Sequence, residues 1–139
     1  MIETLPVCVN IADGPVQAVE LNVPDGAGAA LEFRGIVRPL EEGRPLVGLN
    51  YQTYDPMAHM QLQKLAVAAV RQFQLFQVQV AHSRGFVPAG SCSMRIALFA
   101  GRRKSAIAAM DWLIDHIKQD VPIWKSPLFD ASTVKSEPS

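Results

Sequence analysis

Lys118 and Lys125 lie seven residues apart in the stretch WLIDHIKQDVPIWK (112–125), one on each side of Pro122 and each beside bulky apolar neighbours. Proline cannot donate a backbone hydrogen bond and pushes the residue before it out of helical geometry, so a helix ends here and an extended run follows. Two amines at one forced corner, among apolar side chains, are candidates for chemistry. Desolvation and mutual repulsion both disfavour the ammonium form and would make a neutral amine available as nucleophile or base. The same residues also fit a solvated lysine favoured by the dipole at a helix C-terminus, followed by an ordinary surface lysine. Arg38 closes a strand-like run before Pro39, where a cation beside flexible backbone can grip a phosphate or simply face water. Gly101-Arg102-Arg103-Lys104 opens the last helix. Three cations there oppose the macrodipole, a placement that makes sense if an anion docks; a solvated basic cluster is the alternative. His82 has the type of a general base, but no Ser, Cys or Asp stands at a recognisable motif spacing, and it reads as structural. Cys8 and Cys92 are isolated, with no CxxC pair or metal-ligand spacing, and read as reduced, mostly buried thiols; no metal is expected.

The elements that must position these groups follow from periodicity. A first strand spans 6–11, and Asp13-Gly14-Pro15 is a turn. Residues 16–23 allow either a strand or a short helix, and 24–28 is a loop. The run 29–38 is a strand with Leu31, Phe33 and Gly35 on one face, and Gly35 suggests a bulge or a close approach. A turn-rich connection at 39–45 leads to a strand at 46–54, expected to pair antiparallel with the preceding one. Asp55-Pro56 is expected to cap a helix whose apolar positions 62, 65, 66, 69, 70 and 73 form one stripe; His59, Met57 and Met60 are packing or surface residues. Residues 76–82 alternate with period two, 83–90 is a bend, and 91–100 is a further strand. The last helix should bury Ile107, Met110, Leu113, Ile114 and Ile117.

Bulk composition limits the classes. At 139 residues with 49% hydrophobic and 19% charged content, the chain reads as one globular domain over 1–129, with 130–139 an aperiodic, flexible tail. Thirteen basic residues balance thirteen acidic ones, which gives no basis for a nucleic-acid or membrane partner. No apolar run approaches the roughly 20 residues that span a bilayer, and the first residues lack the pattern of a signal peptide, so a cytoplasmic location is expected. The alternation of elements is that of an α+β fold, a mostly antiparallel sheet packed with two main helices.

Four segments in order resemble the large, catalytic subunit of molybdopterin synthase. GAALEFRGIVR (28–38) is similar to that family's G-A-x-x-x-F-x-G-x-V-R strand, 51–57 to its next strand and helix entry, and 80–90 to its V-x-H-R-x-G-x-x-x-x-G segment. The most specific is 113–125, which resembles I-D-x-x-K-x-x-x-P-x-W-K with both lysines, the proline and the tryptophan in register. The resemblance implies an α/β-hammerhead-like fold and sulfur transfer that makes the molybdopterin dithiolene from cyclic pyranopterin monophosphate, in molybdenum cofactor biosynthesis. It implies a small ubiquitin-like sulfur-carrier partner with a C-terminal Gly-Gly thiocarboxylate, a homodimer of large subunits within a heterotetramer, and no cofactor. Carried over by position, Lys118 and Lys125 are the catalytic lysines, Arg38 and Phe33 lie near the substrate, and Arg103 matches the arginine of a His-Arg pair; Arg102 stands where that pair has histidine. Pro127 and Ser91 replace acidic residues, and 130–139 does not match the family's longer C-terminal segment. A non-catalytic anion- or partner-binding module on the same fold is the alternative reading.

Overall fold

The computed structural model describes residues 6–130. The expected tail beyond Asp130 and the first residues fall outside that range. Within it the order is β1 (Val7–Asp13), β2 (Ala29–Ile36), β3 (Leu40–Glu41), β4 (Arg44–Thr53), α1 (Met57–Phe73), β5 (Gln77–Pro88), β6 (Cys92–Ala100), α2 (Arg103–Asp120) and β7 (Ile123–Phe129). This is the expected α+β class: two helices against a mostly antiparallel sheet, in the order β2-β6-β5-β4-β3, with β1 paired to β5 and β7 to β4. The β1–β5 pairing is parallel.

β5 is the spine of the sheet. It was expected to end at His82, but it continues to Pro88 through the expected bend. Its first half pairs with β1 and β6, and its second half, from Gly85, pairs with β4. Gly85 takes a positive φ of 84° where the strand changes partners. A longer strand satisfies more backbone groups than a bend would, and the glycine supplies the change of direction.

The pairing of 29–38 with 46–54 expected across the intervening loop is not found. β2 pairs instead with β6, and the loop folds on itself as a β3–β4 hairpin in which Glu41 faces Arg44. Glu42 and Gly43, both at positive φ (52° and 76°), make the two-residue turn whose twist suits a hairpin. The register shift expected from Gly35 is present between Gly35 and Ile36. Asp55 does not cap α1: Pro56 holds that position with no side-chain cap, and Asp55 instead accepts hydrogen bonds from Thr53 (3.0 Å) and Arg84 (2.6 Å). Residues 16–23 form neither strand nor helix. They are tethered where buried Arg95, which donates to Glu32 at 2.6 Å, also donates to the Val19 carbonyl at 3.2 Å.

The main core lies between the helices and one sheet face. Leu62, Leu65, Ala66 and Ala69 of α1 are buried, as their spacing predicts. On α2 the buried residues are Ala106, Ala109, Leu113 and Ile117, with Met110 and Ile114 partly buried against the same core; of the expected stripe only Ile107 is exposed. Alanines at 106 and 109 sit where this helix is buried, and close helix packing favours small residues over a wide apolar stripe. A second, smaller cluster of Val37, Leu46, Leu49 and Val87 sits under the β4 end of the sheet. Gly48 belongs to that region: a Cβ there would collide with the Val87 carbonyl and the Phe86 ring. Cys8 is exposed and Cys92 half-buried, so the expected burial of both thiols is not found; both are free. Cys8 lies in β1, a strand that pairs on one side only, where alternate residues face water.

Candidate functional site

α2 ends as Pro122 requires. Asp120 is its last residue, and Val121 is already extended at φ −90° and ψ 128°. The chain then returns as β7, antiparallel to β4, with Lys125 directly opposite Tyr51, Trp124 opposite Gln52 and Ile123 opposite Thr53. Directly opposed residues in such a pair share a face, with Cβ atoms about 4.5–5.5 Å apart. The corner therefore folds Lys125 back toward the end of α2, where Lys118 occupies the last turn.

Both lysines line one cavity of about 650 Å³, a volume in the usual range for small-molecule sites. Its walls come from four directions. β2 and the residues after it supply Phe33, Gly35 and Arg38, and β3 supplies Glu41; β4 supplies Tyr51; β5 and β6 supply His82, Ser93 and Met94; α2, the corner and β7 supply Lys118, Trp124 and Lys125. Four of the six residues singled out from the sequence, Lys118, Lys125, Arg38 and Phe33, thus meet in one place. Three cations face a single carboxylate, Glu41, which lies 3.9 Å from Arg38. A net positive, half-apolar cavity with aromatic walls suits a flat ligand bearing an anionic group.

Lys118 and Lys125 are exposed, so the desolvation expected at the corner is absent in this chain alone. β7 is an outer strand, which leaves its side chains open to water.

The polar floor was not read from the sequence. Tyr51 and His82 meet edge to face, with ring centroids 5.2 Å apart and planes at 78°. Burial pushes the Tyr51 hydroxyl above its ordinary range, against a hydrogen bond from Ser93. Ser93 in turn lies 3.4 Å from the Gly35 carbonyl. His82 is buried, its Nδ1 lies 2.8 Å from the Ser83 carbonyl, and burial holds its pKa below the ordinary value against that hydrogen bond. Tyr51 and Ser93 carried no signal beyond strand propensity, because only the pairing of β5 with both β4 and β6 gives them a common wall.

Arg102 and Arg103 lie elsewhere. They stand exposed at the first turn of α2, and Arg102 lines a separate hollow of about 290 Å³ with Phe73, Phe76 and Ser105. Arg103 and Lys118 are fifteen positions apart on the helix, roughly 22 Å at about 1.5 Å per residue. No single chain brings these arginines to the lysine cavity. Ser91 and Pro127 do not line that cavity either. Among the described residues no cluster of His, Cys, Asp or Glu could hold a metal, and no helix is long and apolar enough to cross a membrane.

Comparison with known proteins gives the family and the fold. Residues 10–120 match the sequence profile of the family described as MoaE protein. The chain is 39% identical over 111 residues to the molybdopterin synthase catalytic subunit of Oryza sativa subsp. indica, covering 80% of this chain and 58% of that protein. It is 35% identical over 107 residues to the catalytic subunit of Dictyostelium discoideum, covering 76% and 68%. The matched region thus spans little more than half the rice protein. The fold superposes on the crystal structure of molybdopterin synthase from Staphylococcus aureus with a TM-score of 0.79 at 27% identity, covering 86% of this chain and 90% of that one. A structure of the complex of subunits 1 and 2 of molybdopterin-converting factor from Helicobacter pylori 26695 has the same fold, with a TM-score of 0.70 at 24% identity, covering 87% and 84%. The chain belongs to the MoaE protein family.

Proposed function

We propose that this protein is the catalytic subunit of a molybdopterin synthase, transferring sulfur from a thiocarboxylated ubiquitin-like partner to cyclic pyranopterin monophosphate in the cytoplasm. The observation that carries the reading is the convergence of Lys118, Lys125, Arg38 and Phe33 on one cavity. In the proposed site Phe33 and Trp124 hold the flat ring system, and Arg38 binds phosphate oxygens. The two lysines stand where sulfur would attack. Their amines stabilise the negative charge that develops on oxygen as the C–S bond forms, and they pass protons as water is lost. The thiocarboxylate tail of the partner would enter beside β7, whose outer edge is free of other strands among the described residues.

Arg102 and Arg103 fit this reading only through a second copy of the chain. A homodimer, as the resemblance implies, would let one subunit's helix start reach its partner's cavity. The described region would act as one domain in that assembly.

The direct test is to mix the protein with a thiocarboxylated small subunit and the cyclic phosphate precursor, then assay for dithiolene product. Product formation is expected. Binding of either component without product at high protein concentration would instead establish a non-catalytic binding module.

A further inference from the structure

Four polar residues are buried among the described residues: His82, Ser83, Ser93 and Arg95. Arg95 is engaged by Glu32, Ser93 lies beside Tyr51 and the Gly35 carbonyl, and Ser83 does not line the lysine cavity. His82 lines it, is titratable, and has no role in the scheme above.

Its hydrogen bonding fixes its tautomer. The Ser83 carbonyl 2.8 Å from Nδ1 can only accept, so Nδ1 carries the hydrogen and the lone pair of the neutral ring is at Nε2. Nε2 has no hydrogen-bond partner among the described residues. The charged and titratable groups sharing the cavity are Arg38, Glu41, Tyr51, Lys118 and Lys125. Arg38 is a donor only, and the Glu41 carboxylate already faces it at 3.9 Å. A reaction that releases a proton here finds an imidazole nitrogen, Nε2, that no other side chain among the described residues engages.

Resting on the sulfur-transfer reading of this cavity, we propose that Nε2 of His82 is its proton acceptor, taking an O–H proton from the bound ligand or from an attacking water. The O–H bond breaks with its electron pair left on oxygen, and an Nε2–H bond forms. The resulting imidazolium keeps its Nδ1–H on the Ser83 carbonyl and returns the extra proton to water when product leaves. Burial keeps the ring neutral and receptive near pH 7, against the hydrogen bond to the Ser83 carbonyl. The edge-to-face contact with Tyr51 holds the ring in place.

His82→Asn is the discriminating variant. Its amide N–H can still donate to the Ser83 carbonyl, so a purely structural histidine is largely replaced, while the base is removed. In the reconstituted complex, kcat is expected to fall about 100-fold with KM changed far less. The acid limb of the wild-type kcat/KM profile, lying below pH 6.5, should vanish with it. Nitrogen NMR of the wild-type protein should show Nδ1–H and an unprotonated Nε2 at pH 7, a readout that stands even if the variant fails to fold. Wild-type kcat in His82→Asn, an unchanged acid limb, or an Nε2–H tautomer would each overturn the proposal. An active wild type with an unimpaired variant sinks this inference alone; an inactive wild-type complex sinks the sulfur-transfer reading as well.

Discussion

At its C-terminal end α2 delivers Lys118 into a cavity of about 650 Å³ shared with Lys125 and Arg38, whereas at its N-terminal end Arg102 stands exposed beside a hollow of about 290 Å³. The two ends carry similar positive charge. They differ in what the chain does next to them. After Asp120 the proline corner sends β7 back along β4, so elements distant in sequence supply walls around the lysine. Before Arg103 the chain arrives straight from β6, and the hollow is lined in equal part by the residues at the start of α2 and by the end of α1 with the residues after it. Convergence, rather than charge, separates a site from a basic patch.

Removing one amine at the cavity end should have the largest consequence. Lys118→Ala is expected to lower turnover in the reconstituted complex by about 100- to 1000-fold, the range for losing one electrostatic contact to a developing anion. Its melting temperature and circular dichroism should stay near wild type, because Lys118 is exposed. Near-normal turnover would dissolve the distinction between the two ends.

The next effect asks whether the far end serves the cavity of another chain. Lys118→Ala and Arg103→Ala should each be impaired alone. In an equal mixture, random pairing makes half the dimers mixed, and each mixed dimer has one cavity with lysine from one chain and arginine from the other. Turnover should therefore recover to about a quarter of wild type if pairing is symmetric and exchange is free. No recovery would mean that Arg103 does not serve the cavity of another chain.

The cavity end also holds a buried titratable group, whereas the far end holds the exposed side chains of Arg102, Arg103 and Lys104. His82 has its folded pKa below the ordinary 6.5. The unfolded chain therefore binds the proton more readily, and the contribution of His82 to stability is complete above about pH 6.5 and lost as pH falls through the folded value. A melting-temperature series should decline over that window, and His82→Asn should flatten the decline. Asp13, held below the usual carboxylate range by Arg84, acts in the same direction but only at more acid pH, below its ordinary 3.8.

How much of this was legible in the sequence depends on the range of the forces involved. The proline corner, the α1 stripe and the end of α2 are local, and spacing alone placed them. Lys118, Lys125 and Arg38 were marked by type and place in the chain, whereas Phe33 was marked by the resemblance alone, which also gave all four a common purpose. The pairing of β2 with β6, the continuation of β5 past His82 and the facing of Tyr51 with Lys125 are long-range choices. Turn residues do not encode them, so the polar floor of the cavity stayed hidden and His82 read as structural. On α2 the expected stripe holds except at Ile107, and Ala106 and Ala109 were missed for a related reason: alanines carry little apolar signal, yet they are buried.

The smallest effect sharpens the contrast in the helix itself. Arg102, Arg103 and Lys104 crowd the positive end of the α2 dipole, no acidic residue lies in the first turn, and no side chain caps it. Lys118 sits at the negative end, where a cation is favoured. Lys104→Glu should therefore stabilise the fold by about 0.3–1 kcal/mol, seen as a rise of about 1–4 °C in melting temperature for a chain of this size. Lys118→Glu should lower it by a similar amount, and both shifts should shrink as salt screens them. If the two substitutions moved stability in the same direction, the dipole would not govern either end. The cations at the start of α2 would then be held in place by something other than the helix they open.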